Sequence, residues 1–106
     1  MPELEELGSK KYHSVLRKVV RGIEKESLRI SKAGHLSQVS HPIALGSALT
    51  PNSITTDYSE ALLELITSPG ENIEECLKSL AEIHDFVYRS IGDEILWTTS
   101  MPCIVD

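Results

Sequence analysis

Apolar residues recur along this chain with two different periods, and the switches between them outline its elements. From Ser9 to about Val20, the residues Tyr12, Val15, Leu16, Val19 and Val20 fall on one stripe of a 3.6-residue helix. Lys10, Lys11, Arg17 and Lys18 lie outside that stripe. Ser9 stands where an N-cap is expected, and Gly22 weakens helical continuation. A second helix is predicted over Asn72 to Ile91, with Ile73, Leu77, Leu80, His84, Val87 and Ile91 repeating at intervals of four and three. Asn72 followed by Glu75 resembles a capping box, and Gly92 supplies a C-terminal stop.

Between the helices the period drops to two. Gly22 to Ile30 reads as a strand. Its even positions, Glu24, Glu26, Leu28 and Ile30, share one face, and its odd positions, Ile23, Lys25, Ser27 and Arg29, share the other. The turn chemistry of Ser31 to His35, with Gly34 available for a positive φ, predicts a hairpin that returns through HLSQV. His41 to Asn52 is loop-like, punctuated by Pro42, Gly46 and Pro51. ITTDYSEALLELIT has extended ends and a middle that fits strand or helix. The final ILWTTSMPCIVD reads as a strand ending with no turn and no partner, an expectation that suits a chain cut from something longer.

The acids carry the candidate chemistry. In a strand, Glu24 and Glu26 project the same way with about 6 to 7 Å between them, a spacing at which two carboxylates share or flank hard cations. Two like charges beside Leu28 and Ile30 are costly without a cation. An exposed ExE on a surface strand is the commoner origin of such a pair, so it is a weak signal alone. Glu64 sits within LLELI, flanked by apolar residues. In a strand it shares a face with Glu60, Leu62 and Ile66; in a helix it shares one with Asp57 and Glu60. A solvated acidic face explains these residues as well. His84, on the apolar stripe, is expected to be a partly buried, satisfied histidine. No Gly-rich phosphate loop, nucleophile set or Cys/His metal spacing is present, and Trp97 reads as core.

Composition narrows the classes further. The chain has 106 residues, 41% hydrophobic and 25% charged, which is one soluble globular domain at most. Sixteen acids against ten bases give a net charge of −6, which argues against nucleic-acid or anionic-membrane partners. The first fourteen residues lack the apolar core of a secretory signal, and no apolar run approaches the ~20 residues of a membrane helix. Cys76 and Cys103 fit two free thiols in a reducing compartment, so a cytoplasmic protein is expected.

Three blocks in order extend this reading. RGIEKESLRI resembles the strand near the N-terminus of bacterial glutamate–cysteine ligases, which reads G-[IL]-E-x-E-[ST]-L-R. HPIALGSALT with ITTDYSEALLELIT resembles the next block of that family, and GDEILWTTSMPC the one after. The resemblance runs from Arg21 to Cys103 and is to the gammaproteobacterial form. It implies an α+β fold, part of a glutamine-synthetase-like antiparallel sheet with flanking helices. It implies that residues 1–106 are the incomplete N-terminal portion of a catalytic domain, inactive alone and needing the remainder of the ligase chain. The implied reaction is ATP-dependent ligation of the glutamate γ-carboxyl to cysteine through a γ-glutamyl phosphate, the first step of glutathione biosynthesis. Glutamate, cysteine and ATP are the implied small-molecule substrates. The implied cofactor is Mg2+, with Mn2+ as an alternative. By the same resemblance Glu24, Glu26, Asp57 and Glu64 are metal ligands or close metal neighbours, while Glu60 has no assigned role. A related carboxylate–amine ligase with another acceptor, or a non-catalytic interaction module using the apolar helix stripe, are the competing readings.

Overall fold

The computed structural model describes residues 4–46 and 53–106, with Asp57 described by its backbone alone. The end of the predicted loop, from 47 to Asn52, lies outside them. Eight elements follow in order: α1 (Leu4–Leu7), α2 (Lys10–Arg17), β1 (Glu24–Ile30), α3 (Ile43–Gly46), β2 (Ile54–Asp57), β3 (Ser59–Ile66), α4 (Ile73–Ser90) and β4 (Ile95–Leu96). The strands form one antiparallel sheet in the order β2-β3-β1-β4. The α+β expectation is met, with four strands and a helix across one face.

The core lies between that face and α4. It is built from Leu45, Ile54, Leu63, Leu65, Val87, Ile91 and Leu96, with Leu80, Ile83 and Phe86 packed against it. Alternation does the sorting. On β3, Ala61, Leu63 and Leu65 are buried while Leu62, Glu64 and Ile66 between them are half-buried. Along β1 the odd positions Ser27 and Arg29 are buried and Lys25 is half-buried, whereas Glu24 and Glu26 are exposed.

Arg29 is the unexpected member of the helix side, with a side chain 0% exposed. Its Nη1 donates to Glu94 and to Ser37 Oγ, and its Nη2 donates to the carbonyls of Val39 (2.8 Å) and Glu60 (2.9 Å). Three segments therefore converge on the guanidinium of a fourth, β1. A buried charge needs this degree of pairing, because an unpaired one is strongly destabilising.

Several elements differ from the sequence reading. The first helix stops at Arg17 rather than near Val20, because Arg21 is drawn into extended pairing with Gly70 (N–H to O 3.0 and 2.8 Å). Ser9 is the N-cap residue but its hydroxyl makes no capping bond. The apolar stripe of α2 is present yet buries nothing, with Val15 63% and Leu16 51% exposed. The radius of gyration, 18.1 Å, exceeds the ~13 Å of a compact chain of this length. The hairpin after Gly34 (φ +87°) shrinks to a bridge between Ile30 and Leu36, since β3 already occupies the same edge of β1 as far as Leu28. ITTDYSEALLELIT is extended throughout, folded at Tyr58 (φ +53°) into the β2–β3 hairpin. The C-terminal segment does have a partner: Leu36 donates to Ile104 O, Ile104 donates to Gly34 O, and the two stretches form a parallel bridge.

The long helix keeps its predicted bounds and cap. Asn72 Oδ1 accepts from Glu75 N–H (2.9 Å), and Glu75 Oε2 accepts from Glu71 N–H rather than closing the box on Asn72. Its buried stripe is rotated from the predicted one. Ile73 and Leu77 are 57% and 54% exposed, while Cys76 and Val87 are buried. At 100° per residue, the line Cys76, Leu80, Ile83, Val87, Ile91 is centred about 40° from the predicted line. The cause is at the first turn. Cys76 donates its thiol to Arg21 O (3.1 Å), and a Cβ on Gly70 would lie 3.1 Å from Cys76 Sγ, so this side of the helix is pressed onto the chain entering β1. The packed stripe is thereby occupied within the fold and is not a free interaction surface.

These burials predict unequal costs for similar truncations. Leu63→Ala is expected to lower unfolding free energy by about 2–5 kcal/mol. Leu77→Ala is expected to change it by no more than about 0.5 kcal/mol. Urea denaturation monitored by circular dichroism measures both, and comparable losses would restore the predicted stripe.

Candidate functional site

The face of the sheet turned away from the α4 packing carries the acids. Register brings two of them together: Glu26 on β1 is directly opposite Glu64 on β3, with Glu24 opposite Ile66 and Leu28 opposite Leu62. Hydrogen-bond direction fixes the kind of pair. Leu28 O accepts from Trp97 N–H on the β4 side, so Leu28 and its even-numbered neighbours turn their peptide groups away from β3. Ile23 O, at an odd position, accepts from Thr67 N–H, as that alternation requires. Glu26 and Glu64 are thus a non-hydrogen-bonded pair, the closer type, with Cα atoms about 4.5 Å apart. Like charges so placed repel, and the arrangement is unfavourable unless something lies between them. On the other flank of β3, Thr55 pairs with Glu64 and adds a hydroxyl-bearing residue to the same row.

Glu24 and Asp57 lie on either side of this row. Glu24 is one step back along β1, diagonal to Glu64. Asp57 ends β2 beyond a register shift, two residues past Thr55, and pairs with Ser59. Because β1 and β2 run the same way, these steps go in opposite directions. The four acids therefore form a diagonal band whose ends are about 16 Å apart in backbone position, from ~3.3 Å per residue and ~4.8 Å per strand. Among the described side chains, which do not include that of Asp57, no three from His, Cys, Asp or Glu group closely enough to hold one metal ion. Carboxylates in pairs, with a hydroxyl nearby, are a donor set that suits small hard cations.

Glu60 stands apart from the band. It is exposed, its carbonyl belongs to Arg29, and it borders a shallow cleft of about 280 Å³ with Ser37, Val39 and Ser59.

The opposite side of β1 carries a basic contact that sequence reasoning did not assemble. Lys25, between the two acids in sequence, donates from Nζ to Ser27 Oγ and to His84 Nε2, each at 3.0 Å. Lysine has only donors, so His84 accepts at Nε2 and carries its proton on Nδ1. His84 also stacks on Tyr88 at 6.2 Å. This is the satisfied, half-buried histidine expected from its place on the helix. Burial lowers the His84 pKa below its ordinary 6.5, the Lys25 charge adds to the lowering, and Asp85 opposes it. His41 is lowered in the same way, by burial first and then by Arg29, with Glu60 opposing. Burial also lowers Lys25 from 10.5. Arg29 is the other residue missed. Its only sequence signal was a charged residue at a strand position whose neighbours on the same face pack inward. Cys76 and Cys103 are buried free thiols, and no helix among the described residues is long and apolar enough to cross a membrane.

Comparison with known proteins gives the family of this chain. The chain matches the glutamate-cysteine ligase family over residues 4–106. It is 55% identical over 92 residues to the glutamate–cysteine ligase of Alcanivorax borkumensis, covering 87% of this chain and 18% of that protein. The counterpart from Saccharophagus degradans is 50% identical over 92 residues, covering 87% and 17%. Among solved structures, the glutamate–cysteine ligase of Francisella tularensis in complex with AMP superposes with a TM-score of 0.76 at 44% identity, covering 82% of this chain and 18% of that one. A bifunctional glutathione synthetase from Pasteurella multocida gives 0.68 at 38% identity, covering 74% and 11%. The antiparallel sheet with its packed helix is thus shared with a glutamate–cysteine ligase and a bifunctional glutathione synthetase. The chain belongs to the glutamate–cysteine ligase family. It spans about 18% of the length of the curated relatives it matches.

The two lowered histidines set a pH dependence. Below about 6.5 the unfolded chain takes up protons that the folded chain refuses, so stability is full above that value and falls as pH drops below it. Melting temperatures between pH 7 and 5 are expected to decline, and His84→Gln is expected to flatten the decline. Parallel profiles for the two proteins would show that His84 is not held neutral.

Proposed function

We propose that this chain forms the acid-bearing strands of the nucleotide site of a glutamate–cysteine ligase, as the N-terminal portion of its catalytic domain. The reading is carried by one observation, the direct opposition of Glu26 and Glu64 on the open face of the sheet. A cation held beside this pair would offset the repulsion of like charges so placed, and family membership gives such a cation a use. Glu24, Glu26, Asp57 and Glu64 would hold Mg2+, or Mn2+ in its place. The length of the band favours two or more ions, each shared by neighbouring acids. Held by these residues, a divalent ion would supply positive charge against crowded phosphate oxygens. That the Francisella relative was solved in complex with AMP supports a nucleotide-binding role.

In the proposed reaction a γ-carboxylate oxygen of glutamate forms a bond to the terminal phosphorus of ATP, and the bond from that phosphorus to ADP breaks. The amine of cysteine then attacks the acyl carbon, loses a proton and expels phosphate, leaving a γ-amide. The part played by these 106 residues is to bind and to orient. The acids fix charge on one face, and β1 is tied from behind by Lys25 and His84. Groups that contact the phosphates directly, and the cysteine pocket, would come from the rest of the ligase length, so the chain alone is expected to be inactive. A cytoplasmic setting and a place at the start of glutathione synthesis follow from the same reading.

The test uses Mn2+ and its electron paramagnetic resonance signal. Glu26→Gln and Glu64→Gln are each expected to weaken Mn2+ binding to the chain by about tenfold or more, as loss of a carboxylate ligand should. Glu60→Gln should leave it unchanged. In a full-length ligase carrying these residues, the first two variants should also abolish glutamate- and cysteine-dependent ADP release. Wild-type affinity in both would sink the assignment.

A further inference from the structure

The band of acids depends on strand register, and the ladder between β1 and β3 does not by itself fix it. Five residue pairs hold the two strands, from Glu24 with Ile66 to Leu28 with Leu62. Both strands alternate with a period of two, so a slip of one residue would drive the acids into the core and is forbidden. A slip of two keeps every apolar residue on its proper face. It would place Glu64 opposite Glu24 or Leu28, and the Glu26–Glu64 pair would be lost.

Arg29 sits where the ladder ends. Its own carbonyl accepts from Ser37 N–H (3.0 Å), so the edge of β1 that faces β3 is taken over at this residue by the segment 36–39. Its side chain holds both partners of the fork: Nη2 reaches Val39 O on the incoming segment and Glu60 O at the start of β3. A two-residue slip would move Glu60 by about 6.6 Å along β1. The bond to Glu60 O would break, and a side chain that is 0% exposed and already has an unpartnered Nε would lose a further acceptor.

We propose that Arg29 is a positioning residue that locks β3 in register on β1 and so keeps Glu26 opposite Glu64. Its significance for cations rests on the proposed function, but the register claim does not. Lysine cannot substitute. A single ammonium offers no rigid fork to span Glu60, Val39 and Glu94 together.

A cross-strand disulfide reads register directly, because non-hydrogen-bonded pairs fall within disulfide reach. With Cys76→Ala and Cys103→Ala as background, the double variant Glu26→Cys/Glu64→Cys should oxidise readily to the cross-linked form. The variant Glu24→Cys/Glu64→Cys, which reports a slip of two, should not. Adding Arg29→Lys or Arg29→Met is expected to slow the first cross-link by about tenfold or more and to promote the second, since both test pairs need Cα atoms within ~7 Å. Glu94→Gln strips the same buried cation of its carboxylate but keeps the bond to Glu60, and should leave the first cross-link intact. Circular dichroism checks that each variant is folded. An unchanged cross-link in folded Arg29 variants overturns the proposal. So does loss of the cross-link in Glu94→Gln, or loss of fold in both Arg29 variants, because Arg29 would then serve stability alone. Failure of Mn2+ binding in the unsubstituted chain would overturn the cation reading and leave the register result standing.

Discussion

A guanidinium sealed from water must find acceptors wherever the fold supplies them, and Arg29 finds them in three segments that sequence separates widely. The ion pair with Glu94, which is itself only 14% exposed, does not make this contact a large net source of stability. Its value lies in selection. Alternative arrangements strand a cation in the interior, so the native one is preferred by the penalty of every other. Around that fixed point β1, β3, the segment 36–39 and the turn after α4 have one mutual arrangement.

The sheet is two-sided in a chemical sense. Toward α4 it presents Leu63, Leu65, Ile54 and Leu96, and there the hydrophobic effect holds the layers together. Away from α4 it presents carboxylates in mutual opposition, an arrangement that weakens the fold. Proteins break local rules mainly where function requires it, and the helix-side core is what allows the acidic side to be kept. Lys25 and His84 join the two sides, since β1 carries the acids outward and this contact inward.

What the sequence made legible was parity. Alternation along GIEKESLRI placed Glu24 and Glu26 on one face and the bases on the other, and the strand confirms it. The three family blocks were equally legible, because motif order needs no geometry. Which acids stand opposite each other was not, since that depends on the offset between strands some forty residues apart. The rotated stripe of α4 shows the same limit. Spacing defines a direction on a helix, but the contact of Cys76 with Arg21 O decides which direction is pressed inward. The turn at Tyr58 was missed because a tyrosine with positive φ carries no turn signature.

Gly70 gives the joint between sheet and helix a mechanical character. Any side chain there would meet Cys76 Sγ and Glu75 at 3.1 to 3.3 Å, at the point where Arg21 and Gly70 exchange their peptide hydrogen bonds. The lead into β1 and the first turn of α4 are consequently clamped face to face and move as one piece. A displacement of the helix is delivered to the strand that bears Glu24 and Glu26, with no slack between them to absorb it.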